Sequence, residues 1–213
     1  LGKLGITYDR LDIFLTHKHH DHCGLASEYA ARGARLFMNP QEDRHCYDCL
    51  YYNHSHGSSE DQPQVLQSVG VTEEGTPEIW NMFMEVNQRI RENRGWEFEI
   101  PGYPYTPVNE GQILSYGDYD LETVGLKGHT YGQMGLYDRN HKVLFCADQV
   151  IDGIVPIVGT TYPDEHLLKG YFDSLERLKH QYGDCLILPA HKEPIRDVKR
   201  VVDRIVFAYL DKT

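Results

Sequence analysis

Apolar residues in this chain fall into short runs. Leu11-Asp12-Ile13-Phe14-Leu15 alternates in part and carries branched and aromatic side chains, the pattern of a buried strand. It runs directly into a polar loop, Thr16-His17-Lys18-His19-His20-Asp21-His22. Gly24 to Arg32 predicts a helix closed by Gly33, and Ala34 to Met38 a second strand stopped by Asn39-Pro40. Short strands return at Gln112 to Leu114, Tyr119 to Leu126, Met134 to Tyr137 and Lys142 to Cys146. Pro163-Asp164 opens a helix in which Leu167, Leu168, Tyr171, Phe172, Leu175 and Leu178 form a core-facing stripe. Cys185 to Leu188 reads as a strand ending in Pro189-Ala190-His191, and an amphipathic helix begins near Arg196. Strands and helices therefore mix along one chain, and the expected class is α/β.

Between Gln41 and Pro107 the pattern changes. Glu42 to Tyr52 predicts a helix, and Thr76-Pro77-Glu78 predicts the start of another, with Thr as cap and Pro in the first turn. Ile79, Phe83, Val86 and Ile90 follow at helical spacing, a stripe expected to pack on the domain. Long insertions in compact domains usually serve as lids or binding loops. Residues 41–107 are thus expected to form a mostly helical cap that ends in an extended loop, Gly102 to Pro107, with Tyr51, Tyr52, Trp80, Phe83, Tyr103 and Tyr105 as candidate apolar walls. Cys46-x-x-Cys49 with His54 and His56 offers zinc-like spacing, but a helix beside a polar loop explains these four residues equally well.

Charge and cysteine usage narrow the partners. A length of 213 residues suits one large domain, with the stretch at 41–107 inserted in it. The 32 acidic residues against 21 basic ones give a net charge of −11, which disfavours a nucleic-acid backbone. A small anionic substrate stays possible, because bound cations would reverse the local field. No apolar run approaches the roughly 20 residues of a membrane-spanning helix, so no membrane association is expected. Five cysteines without framework spacing suit a reducing, cytoplasmic setting.

The 12 histidines cluster, and one feature recurs: a strand ends and His or Asp follows. It occurs at His17-x-His19-x-Asp21-His22, Gly128-His129-Thr130, Ala147-Asp148 and Ala190-His191. Side chains at strand ends converge on one sheet edge. In an extended loop, residues two apart point the same way, so His17 and His19 can grip one ion while Asp21 and His22, after the turn, face another. One carboxylate can bridge two ions, and Asp148 is placed for that. Imidazole and carboxylate suit zinc, and also iron or manganese. No Gly-x-Ser-x-Gly elbow offers a serine nucleophile. His20 and His166 are spare histidines, expected to be structural, and Cys23 and Cys146 are expected to be buried and inert.

His17-x-His19-x-Asp21-His22 resembles the signature of the metallo-β-lactamase superfamily. Gly128-His129-Thr130 with Gly132 and Gln133, Phe145-Cys146-Ala147-Asp148 and Leu188-Pro189-Ala190-His191 resemble its later motifs. Lys127 stands where a Pro is usual, and Ala190 where a Gly is usual. The resemblance implies an αββα sandwich. It implies that His17, His19 and His129 hold a first metal, that Asp21, His22 and His191 hold a second, and that Asp148 bridges them. Within the superfamily the chain is most similar to hydroxyacylglutathione-hydrolase-like proteins. The implied activity is hydrolysis of an ester, thioester, lactone or similar small substrate by a metal-bound hydroxide, with Asp21 catalytic and two divalent ions, zinc foremost. A mononuclear iron centre like that of persulfide dioxygenases is the alternative. Family members place several strands before the first motif, so N-terminal strands are expected to be missing here, and a homo-oligomer is expected to cover the exposed edge.

Overall fold

The structure is a computed structural model that describes residues 2–44, 66–67, 70–92, 102–158 and 166–211. Its smaller sheet holds β1 (Asp12–Leu15), β2 (Arg35–Met38) and β3 (Thr106–Pro107), all parallel and in that order. Asp12 and Arg35 are register partners, and the guanidinium donates to both carboxylate oxygens at 2.7 Å. A single turn, α1 (His20–Cys23), follows β1, and α2 (Ala26–Ala31) leads to β2 through Gly33, whose φ of +101° suits glycine. Leu15, Cys23, Ala26, Leu36 and Met38 form the buried core of this half.

The larger sheet runs β4 (Ile113–Tyr116), β5 (Tyr119–Gly125), β6 (Met134–Asp138), β7 (Val143–Ala147) and β8 (Leu186–Pro189) in sequence order. Neighbours are antiparallel up to β7, and β8 joins parallel to β7. A parallel partner needs a crossover, supplied here by α5 (Leu167–Gln181). Before it in the chain come α3 (Gln41–Arg44) and α4 (Pro77–Glu92), and after it comes α6 (Val198–Leu210). Tyr171, Leu175 and Leu178 of α5, Val201, Val202 and Ile205 of α6, and Leu144 and Ile187 of the sheet share one buried core. The Met134 N–H donates to the Thr16 carbonyl at 2.9 Å and ties the two sheets together. The layers therefore run helix, sheet, sheet, helix, as the resemblance implied.

Three local expectations are modified. On α4 the apolar stripe is turned: Trp80 is buried while Ile79 and Phe83 are exposed, since the indole has most apolar area to hide. The side chains of Val86 and Ile90 lie outside the described residues. Thr76 supplies the first helical carbonyl, to the Trp80 N–H, but its hydroxyl accepts from the Thr72 N–H. On α5 the buried face is Leu167, Tyr171, Ser174, Leu175 and Leu178, leaving Leu168 exposed. The extended segment from Gly102 ends in a short strand, where Thr106 and Pro107 pair with Phe37 and Met38. Proline is tolerated there at a sheet edge. Among the described residues, no helix is long and apolar enough to cross a membrane.

Candidate metal centre

The candidate ligands lie at or just beyond the ends of strands, or in the single turn that follows β1. His17 and His19 lie in the short loop between β1 and α1, and Asp21 and His22 sit on α1. His129 lies between β5 and β6, Asp148 follows β7 and His191 follows β8. The last three positions are far in sequence from the first four, yet all seven side chains meet. Three groups have ligand atoms within 4.8 Å of one another: His17, His19 and His129; His17, His22 and Asp148; and Asp21, His22 and His191. One Asp148 oxygen lies 3.4 Å from His22 Nε2, 3.5 Å from His129 Nε2 and 3.6 Å from His191 Nε2. Asp21 lies 3.4 Å from His22 Nε2 and 3.3 Å from His191 Nε2. Asp148 is therefore central, and Asp21 lies towards the mouth, with half of its side chain exposed.

The arrangement fits cations better than it fits protons. His129 Nδ1 donates to the Ile157 carbonyl at 2.7 Å, so its Nε2 presents a lone pair. That lone pair is 2.9 Å from His19 Nδ1, which is also 3.1 Å from His17 Nε2. One proton on His19 can bridge only one of these contacts, whereas a cation would satisfy all three nitrogens. Among the described residues, His22 Nε2 and Asp148 Oδ1 are buried without a hydrogen-bond partner, which a bound cation would also relieve.

The local electrostatics agree. Burial, then the neighbouring imidazoles, holds His17 well below the ordinary histidine range, and burial followed by His129 lowers His19 to about 4. Burial also lowers His129. His22 goes the other way: burial opposes its protonation, but the nearby Asp148 carboxylate, 3.4 Å away, overrides it and raises it. Asp148 is correspondingly lowered, burial being outweighed by His22 and the other histidines. Neutral imidazole and ionised carboxylate are the ligating forms.

Backbone devices aim these side chains. Ala147 has φ +51°, rare for a residue with a Cβ, at an irregularity in the β7–β8 register. That turn delivers Asp148 inward. The Ala190 N–H donates to the Ala147 carbonyl at 3.0 Å and couples the His191 loop to it. Buried Gln133 accepts from the Asp148 N–H at 3.3 Å and donates to Gln149 at 2.8 Å. Gly128 has φ +144°, and a Cβ there would lie 2.5 Å from Tyr171. Only glycine lets this loop lie against α5.

The spare residues divide. His166 is exposed, with φ +48° just before α5, and the His20 side chain lies outside the described residues. Cys23 and Cys146 are buried, and burial pushes the Cys146 thiol up to about 12. Tyr103 and Tyr105 pack on the core of the smaller sheet. Tyr51, Tyr52, Cys46, Cys49, His54 and His56 lie outside the described residues. Sequence reasoning missed Glu42, which has 0% exposure and binds both histidine loops. An acidic residue shortly after Asn39-Pro40 gives no local signal of burial.

The sequence pattern described as the metallo-beta-lactamase superfamily matches residues 11–191. Over 53 residues the chain is 42% identical to acyl-coenzyme A thioesterase MBLAC2 of Gallus gallus, covering 25% of this chain and 19% of that protein. The human protein of the same name is 32% identical over 63 residues, covering 28% of this chain and 23% of its own length. The aligned stretches are thus about a fifth of these relatives. Among solved structures, a metallo-beta-lactamase family protein of Thermus thermophilus superposes with a TM-score of 0.71 at 25% identity, covering 99% of this chain and 64% of that one. A beta-lactamase domain protein of Burkholderia ambifaria gives 0.64 at 23% identity, covering 93% and 54%, a likeness of fold.

Proposed function

Because the chain belongs to the metallo-beta-lactamase superfamily, we propose that it is a metal-dependent hydrolase with two divalent ions that cleaves thioesters or related small esters and lactones. One observation carries the reading: seven His and Asp side chains, from positions 17 to 191, converge into three overlapping ligand groups. The thioester preference draws support from the name of the acyl-coenzyme A thioesterase relatives and from the resemblance to hydroxyacylglutathione hydrolases. His17, His19 and His129 would hold one ion, Asp21, His22 and His191 the other, with Asp148 between them. Zinc is the foremost candidate for this donor set.

When bound, such a pair lowers the pKa of a water molecule towards neutrality and polarises a carbonyl oxygen. The residues of the chain do the rest. His17, His129 and Asp148 are buried and form the floor, while Asp21 and His191 are exposed at the mouth, where a substrate carbonyl would enter. Asp21 would orient the attacking water, take up its proton and return it to the leaving thiolate or alkoxide. No protein nucleophile is required, and the buried Cys23 and Cys146 are not placed to be one.

The test is elemental analysis of purified protein, followed by a panel of acyl thioesters, esters and lactones. About two zinc or manganese ions per chain and turnover abolished by a chelator are expected. Metal-free protein with undiminished turnover would overturn the proposal. One iron per chain with oxygen uptake on a persulfide would assign the dioxygenase chemistry instead.

A further inference from the structure

The seven candidate ligands leave one buried charged residue of the same region unexplained. Glu42 lies on α3 and has 0% exposure. Its Oε2 accepts from the Lys18 N–H at 2.8 Å. Its Oε1 accepts from the Thr130 hydroxyl at 2.8 Å and from the Gly132 N–H at 2.6 Å. Lys18 separates His17 from His19, and Thr130 follows His129. One carboxylate therefore joins the two loops that carry one complete histidine group.

The surroundings are built for this contact. Asp43, the next residue, accepts from Lys18 Nζ at 3.0 Å, so α3 grips Lys18 by both backbone and side chain. The Tyr105 hydroxyl donates to Asp43 from the other side. A Cβ on Gly132 would lie 2.9 Å from the Glu42 N and 3.0 Å from its Oε1, so glycine is what lets that loop approach. Burial raises the Glu42 carboxyl while its three donors oppose that rise. Burying a carboxylate is costly, and it persists where several donors satisfy it.

We propose that Glu42 is a positioning residue that clamps the His17–His19 loop to the His129 loop and so sets the spacing of that histidine group for its metal. This rests on the reading of the cluster as a two-metal centre, and the experiment separates the two. Glu42→Gln keeps the shape but puts an amide NH2 where an acceptor is needed. Chelator-stripped wild type and variant are titrated with zinc by calorimetry. In the variant one of the two binding steps should weaken about 10–100-fold, the usual effect of losing a residue that orients a ligand, while the other holds. In parallel, hydrogen exchange is followed in the metal-free proteins. The Lys18 and Gly132 amides should exchange about tenfold faster, while the Ile187 amide, in the core sheet, keeps its protection.

Equal weakening of both steps with general loss of protection would mean a merely structural role and overturn the clamp. Unchanged affinity and exchange would also overturn it. A wild type that takes up no metal would sink the functional reading, and the exchange rates alone would then decide the clamp. If Glu42→Gln does not fold, Thr130→Val removes one donor to Oε1 and is held to the same readings.

Discussion

The three histidines of the first group are kept neutral, and this has a consequence for acid stability. Burial is the first cause for His17, His19 and His129, and His19 falls to about 4. In the unfolded chain each returns to about 6.5. Protons therefore prefer the unfolded chain between these values. The stability of metal-free protein should be complete above pH 6.5 and should be lost as pH falls towards 4. His22, raised by Asp148 against its own burial, contributes in the opposite sense, with stability present in acid and lost as pH rises. Three lowered groups against one raised should leave a net loss in acid. Urea midpoints of chelator-treated protein across this range check it. A midpoint that rises on acidification would contradict the assignment, and His19→Gln should flatten the fall.

At the scale of elements, α5 and α6 share a buried core with the larger sheet, whose strand ends carry His129, Asp148 and His191. α6 is capped by Asp197, whose side chain accepts from the Arg200 N–H at 3.0 Å. Beyond the cap, Val198, Val201, Val202 and Ile205 face the core. Asp197→Ala should cost about 1 kcal/mol, the usual loss for an N-cap carboxylate, with metal content unchanged. Ile205→Ala, in the same helix, should cost about 2–5 kcal/mol, since its side chain has 0% exposure. Chemical denaturation of both variants distinguishes cap from core. Equal losses would mean that the helix is held by its end and not by its buried face.

For the molecule as a whole, metal binding at the proposed centre would be linked to folding. The candidate ligands come from both sheets, so ions bound among them would hold the native state and not the unfolded chain. A ligand present at about 1,000 times its dissociation constant adds about 4 kcal/mol. Zinc should therefore raise Tm in scanning calorimetry, and a chelator should lower it reversibly. The net charge of −11 works in the same direction, since cations relieve repulsion among surplus acids. An unchanged Tm over a wide range of zinc concentration would argue that the cluster binds no ion in the native state.

The sequence by itself determined the elements of the core and the candidate ligands. Short apolar runs ended in histidine and aspartate, and β1, β2 and β5 to β8 formed within a residue or two of those runs. Strand periodicity and ligand chemistry are local properties, so local residues reveal them. Tertiary structure alone decided how these pieces met. It turned α4 onto Trp80 in place of the expected stripe, and it paired the extended Thr106–Pro107 with β2. It placed Asp148 between the two ligand groups by a left-handed turn at Ala147. It also buried Glu42, an acid that by type belongs at the surface, because donors from residues 18, 130 and 132 satisfy it there. Those partners lie 24 to 90 positions away, and no window of sequence contains them.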